Sequence, residues 1–339
     1  MSDNCVRCTL GECMKQWTIM FVLVSIVVVS RPLAASCGSA TCPLNTLKSL
    51  QSGWMSVGYF HEYIDQNQIY VGTNRSHVGA IPYDHNEVET LNERDVIQLQ
   101  AGLSQNIGLS AAIPFVHRAH SHIDQVNGWE HWDFRGLGDI VLTGMFVVIP
   151  SDRQFAPAVS VSAAMQLPTG MTGAKNGAGE TAEVTIQPGT GAKAGIFGIN
   201  YQQAIASVPA LAGGVYSTLP VTASATYQMN GAGTNGYRFG NSLVASIGTA
   251  YQMAEHASFL FQVNAKLQGY ADPGATSEPR ENTGGTWVYA SPGLHIEIND
   301  NLSAQGFVQI PVYQNVHGIQ QTAPFNLQFG IAADLDLLE

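Results

Sequence analysis

The segment HRAHSHID (His117–Asp124) carries three imidazoles and a terminal carboxylate, spaced His-x-x-His-x-His and followed by Asp124. Glu130, His131 and Asp133 come shortly after. Seven of the ten histidines in this 339-residue chain lie between His61 and His131. Imidazole nitrogens and carboxylate oxygens are the ligands that borderline divalent cations select. His117, His120, His122 and His131 therefore form a candidate site for Zn²⁺ or Cu²⁺. A plainer reading stands beside it, a polar loop at the mouth of a larger structure, because spacing alone does not make ligands converge.

Other chemistry is poorly supported. The glycine-rich stretch TGMTGAKNGAGET (Thr169–Thr181) lacks the Gly-x-x-x-x-Gly-Lys-Ser/Thr order that cradles phosphate, and reads as a mobile external loop. His256 and Ser258 sit close together without a nucleophile-elbow context, so the chain is not expected to be an enzyme.

The elements that must position the histidines are strands. In PAVSVSAAMQLPTG (Pro157–Gly170), Val159, Val161, Ala163, Met165 and Leu167 alternate with small or polar residues. This period of two is the mark of a strand with one apolar face. It recurs near residues 97–103, 107–115, 259–268, 288–298 and 325–331, with weaker instances near 54–65, 139–150, 193–204, 214–228, 238–254 and 302–313. About twelve strands result, most long enough for the ~9–11 residues that cross a bilayer when tilted.

Long connections alternate with short ones along the chain, as in outer-membrane barrels with long external loops and short periplasmic turns. The expected fold is an all-β transmembrane antiparallel barrel of a Gram-negative bacterium, with outer-membrane lipid around it. Aromatics near strand ends, among them Tyr59, Phe115, Tyr270, Trp287, Tyr289 and Tyr313, are expected to form the interfacial girdles.

Composition agrees. The chain is 45% hydrophobic and only 12% charged, too few charges for a large solvated surface. Its net charge of −11 excludes nucleic acid as a partner. At the N-terminus, Arg7 and Lys15 precede the apolar run Trp17–Val29, and RPLAAS follows. That is the layout of a secretory signal peptide over residues 1–36. Residues 37–53 would be a periplasmic segment and 54–339 the barrel. Cys37 and Cys42 could close a disulfide after export, with lipidation of Cys37 as the alternative.

Several blocks resemble a known family. PFVHRAHSH (Pro114–His122), FRGLGDIVL (Phe134–Leu142), QLPTG (Gln166–Gly170), IQPGTGA (Ile186–Ala192) and QIPVYQNVHG (Gln309–Gly318) are similar to segments of bacterial outer-membrane transporter-like proteins of the "meta-pathway of phenol degradation" type. The resemblance implies a barrel that passes small molecules, with aromatic or apolar compounds as the substrate class.

Strand alternation points Gln98, Gln100, Gln262, Asn264, Lys266, His295, Glu297 and Gln309 into the lumen. Lys266, His295 and Glu297 are expected on neighbouring strands as a constriction or internal ion pair. The expected function is a channel or transporter for small solutes. The alternative is a non-conducting surface or scaffold barrel, or a metal-linked channel, whose His-rich loops hold a metal or a partner. Substrate and oligomeric state are not encoded in these patterns.

Overall fold

The computed structural model describes residues 53–80, 86–124, 128–151, 153, 155–211 and 216–336. The signal peptide, most of the periplasmic segment, Cys37 and Cys42 lie outside the described residues.

The elements are almost entirely strands: β1 (Trp54–Gln66), β2 (Gln68–Val71), β3 (Asn74–Arg75), β4 (Asn86–Gly102), β5 (Ile107–Asp124), β6 (Gly128–Leu137), β7 (Val141–Ile149) and β8 (Ala158–Gln166). The second half contributes β9 (Ala194–Pro209), β10 (Tyr216–Asn230), β11 (Ser242–Ala254), β12 (Ala257–Gln268), β13 (Gly285–Asn299), β14 (Leu302–Val316), β15 (Ile319–Thr322) and β16 (Asn326–Asp336). β1 pairs with both β4 and β16, and β4 pairs with β5, so the large sheet closes on itself. β6 and β7 share one place in the wall: β5 meets β7 over Ile107–Ala112 and β6 over Phe115–Asp124. The result is a closed barrel of twelve antiparallel strands, without exposed sheet edges in the membrane.

The strand break has a local cause. Pro114 of β5 has no N–H to give to a ladder, while its carbonyl accepts the Gly138 N–H at 2.8 Å. Past this point the wall partner changes.

One face of each strand meets lipid. Leu109, Phe115, Leu142, Phe146, Val161, Met165, Phe197, Ile199, Ile247, Phe261, Leu294 and Phe329 are all exposed on the outside. Burying such a band in hydrocarbon is what drives insertion. Tyr59, Phe115, Tyr270 and Tyr313 are exposed, as girdle residues must be. Trp287 and Tyr289 depart from that expectation. Their positions in the β12–β13 ladder turn them inward, level with Lys266 and Asn264, and both are buried.

The external end is folded over rather than open. β2, β3 and β15 form a small three-stranded sheet above the mouth. Tyr70 of β2 packs with Trp287, Tyr289 and Val316. The connection 167–193 folds onto the inner side of β6, where Ala174, Ala182 and Ile186 pack on Trp132 and Phe134. Of its glycines, Gly170 and Gly189 serve close approach, whereas Gly173, Gly177 and Gly179 face open space. A Cβ added at Gly170 would lie 2.5 Å from the Gly189 Cα.

Candidate functional site

The expected histidine loop is wall. Residues 117–124 continue β5 and 128–137 form β6, so HRAHSHID keeps the strand's alternation. His120 and His122, two apart, share the inner face and are 2% and 0% exposed. His117 and His131 lie on the outer face. The four histidines are thus divided by the barrel wall, and the proposed set of four does not converge. Sequence did carry the signal: Trp132 and Phe134 alternate with His131, Asp133 and Arg135, a strand pattern hidden by polar residues on both faces.

Inside, the two imidazoles meet a residue of the neighbouring strand β4. His120 Nε2 lies 3.1 Å from His122 Nδ1 and 3.2 Å from Glu87 Oε2 on β4. The β4–β5 register creates this triad by setting Glu87 opposite His122. The ligand atoms of Glu87, His120 and His122 all lie within 4.8 Å of one another. His122 Nε2 faces Glu130 Oε2 of β6 at 3.0 Å. Trp132 stacks obliquely on both rings, at 6.1 Å from His120 and 5.1 Å from His122.

The outer hydrogen bonds favour one tautomer for each ring. The Thr90 hydroxyl donates to Gln321 Oε1 of β15. Its oxygen therefore accepts from His120 Nδ1 at 2.7 Å, which leaves the His120 lone pair on Nε2. Donation from His122 Nε2 to the Glu130 carboxylate likewise leaves the His122 lone pair on Nδ1. Around a cation, two nitrogen lone pairs and a carboxylate would point at one spot; without one, a proton between these groups satisfies the 3.1 Å and 3.2 Å contacts.

Carboxylates crowd this spot. Burial raises Glu87 well above the ordinary carboxylate range, and Glu183 and Glu278 add repulsion. Burial also pushes Glu183, in the folded-in connection, up to about 7, with a Thr185 hydrogen bond opposing and Glu130 adding to the rise.

On the outer face, above the apolar band that ends at Ile97 and Phe115, His117 bridges strands. Its Nδ1 lies 2.5 Å from Glu93 Oε2 and its Nε2 lies 3.0 Å from Asp133 Oδ1. The Glu93 bond chiefly raises the His117 pKa; partial burial opposes this, and Asp133 adds to it. This is a strand clasp.

The lumen is uneven. Gln262, Asn264, Lys266 and Gln309 point inward but are sealed from water. Asn264 donates to Ser291 Oγ at 2.8 Å, Asn326 donates to Gln309 Oε1 at 3.2 Å, and Lys266 lies 5.7 Å from the Trp287 ring centroid. Gln98, Gln100 and His295 are half-buried on the inner face. The expected Lys266–His295–Glu297 constriction does not form. Lys266 is level with Trp287 and His295 with Ser258, eight residues along the same ladder. Glu297 is exposed at the short-turn end, 4.0 Å from His256. Faces were legible from alternation, but height along the barrel was not.

The opposite wall is different. Ser162, Asn200, Thr222, Ser224, Thr226 and Ser246 on β8–β11 face inward with small side chains and are half-buried, and Ser160 on the same face is sealed. Sequence reading did not single them out, although VTASATYQ (Val221–Gln228) alternates plainly. Among the charges facing inward, Glu62 pairs with Arg94 at 2.7 Å.

No family model matches the chain, and no curated protein matches it. Among solved structures, an outer-membrane channel of Pseudomonas putida F1 superposes with a TM-score of 0.63 at 11% identity, covering 86% of this chain and 98% of that one. The likeness is one of fold. This chain is a transmembrane barrel of the bacterial outer membrane. The transport unit of the Escherichia coli autotransporter AIDA-I (TM-score 0.46, 11% identity, 94% and 97% covered) also matches. So does the Ralstonia pickettii toluene transporter TbuX (0.41, 10%, 84% and 89%). Both superpose too loosely to bear on this chain.

Proposed function

We propose that the barrel is a narrow channel for small, uncharged solutes, passed by diffusion along the β8–β11 wall. The observation that carries this reading is the asymmetry of the lumen. One half is filled by buried amides and aromatics, whereas the other is lined by small, half-buried Ser, Thr and Asn side chains. Small side chains leave room, and hydroxyls and amides exchange hydrogen bonds with a passing solute without holding a fixed charge. Inward rings add apolar surface. The Phe60 ring lies flat over Gly330, where an added Cβ would come against it. Such a lining suits compact aromatic or apolar compounds with a polar handle, the class implied by the resemblance to the phenol meta-pathway transporters. The small external sheet and the 167–193 connection would restrict access.

Planar-bilayer recording of the refolded barrel, paired with liposome swelling, tests this. Small ionic steps together with faster influx of neutral than of charged solutes of equal size are expected. No current and no swelling from folded protein would sink the channel reading. The folded-over mouth favours a scaffold barrel as the second reading in that case.

A further inference from the structure

We propose that Glu87, His120 and His122 bind one late first-row divalent cation, Zn²⁺ foremost, on the inner wall of the external mouth. Two imidazole nitrogens held by one Zn²⁺ at about 2.0–2.1 Å stand about 3.3 Å apart in a tetrahedral site and about 2.9 Å apart at a right angle. The 3.1 Å between His120 Nε2 and His122 Nδ1 falls between these values. The Glu87 carboxylate, 3.2 Å from His120 Nε2, supplies the third ligand, and a water or substrate group would complete the set.

Three features separate this triad from a chance polar cluster. Both imidazoles are sealed from bulk water, so solvent does not compete for their lone pairs. Each has its second nitrogen engaged, His120 by Thr90 and His122 by Glu130, which is the outer-shell arrangement that orients metal-bound histidines. Finally, the Glu130 carboxylate stands 3.0 Å from His122 Nε2, adding negative charge beside the spot, which a divalent cation would neutralise. The nitrogen-rich donor set favours Zn²⁺, Cu²⁺ or Ni²⁺ over Ca²⁺ and Mg²⁺, which demand oxygen. A bound cation would clip β4 to β5. Through Thr90 and Gln321 it would also fasten β15, which carries the small sheet over the mouth. The site thus lies where metal occupancy can set how firmly the mouth is covered.

The test uses the full chain without a polyhistidine tag, stripped with chelator in detergent and titrated with Zn²⁺ by calorimetry, with Co²⁺ absorption as the geometric readout. One equivalent should bind, with the intense visible bands of low-coordinate Co²⁺. His120→Ala, His122→Ala and Glu87→Gln should each abolish or strongly weaken it. Thr90→Val should weaken it about 10–100-fold by freeing the His120 ring. His117→Ala and His131→Ala, on the outer face, should leave it unchanged. Heat-modified mobility in gels reports that each variant is folded. The proposal is overturned if folded wild-type protein binds no stoichiometric Zn²⁺, or if the outer-face variants lose binding as much as the inner ones.

Discussion

Asp139 and Thr190, 51 residues apart, are joined twice: the Asp139 Oδ2 accepts the Thr190 N–H at 2.8 Å and the Thr190 hydroxyl at 2.6 Å. Asp139 sits where the barrel wall breaks between β6 and β7. It also accepts the Gly170 N–H at 2.9 Å and Gln166 Nε2 at 2.9 Å. One buried carboxylate therefore pins both ends of the connection that folds into the mouth, and Arg118 holds its middle through the carbonyls of Thr185 and Gln187.

Asp139→Ala should release this connection while leaving the barrel intact. Loss of several hydrogen bonds to a charged acceptor should cost about 3 kcal/mol in docking the segment. Limited proteolysis should cut within 171–186 much faster than in wild type, and single-channel current should rise. Unchanged cleavage and current would show that the apolar contacts to Trp132 and Phe134 suffice to hold it.

Bulk added to the small-residue wall should close the channel. Ser224→Trp places an indole in the small-residue inner strip, whereas Ala225→Trp points to lipid from the adjacent position. Conductance should fall several-fold in the first variant and stay near wild type in the second. Equal effects would mean that solutes do not follow this wall.

Gly330→Val should act from across the lumen. An added Cβ at this position would come within 2.3 Å of Phe60 Cδ1, so the ring must swing off the wall. Reduced swelling rates for aromatic solutes, with little change in folding, are expected. Phe60→Ala in the same background should restore them.

His117 gives a pH signature distinct from the inner triad. Its pKa is raised from 6.5 in the folded barrel by Glu93 and Asp133. The protonated ring therefore stabilises the fold fully below about 6.5, the ordinary imidazole value. That contribution disappears as pH rises through the elevated folded value. His117→Gln should lower thermal stability at pH 5.5 by about 1 kcal/mol and scarcely at pH 9. The measurement is the gel-shift unfolding midpoint across pH, and a difference that grows with pH would contradict the clasp.

Sequence by itself determined the class of fold. Period-two alternation, scarce charge and alternating long and short connections leave a membrane barrel as the economical way to satisfy every backbone N–H and C=O in lipid. It also gave the facing of Gln98, Asn264 and Gln309, because side-chain direction in a strand is a local property. It did not give neighbours. Glu87 reaches His122 only through the β4–β5 register, and Lys266 is kept from Glu297 by position along a ladder. Trp132 and Phe134 are buried under the 167–193 connection, a contact that alternation along β6 does not reveal. Which side of the lumen is filled, which histidines meet, and what covers the mouth all depend on contacts between residues far apart in the chain. Strand pairing and loop packing fix those contacts; alternation along one strand does not.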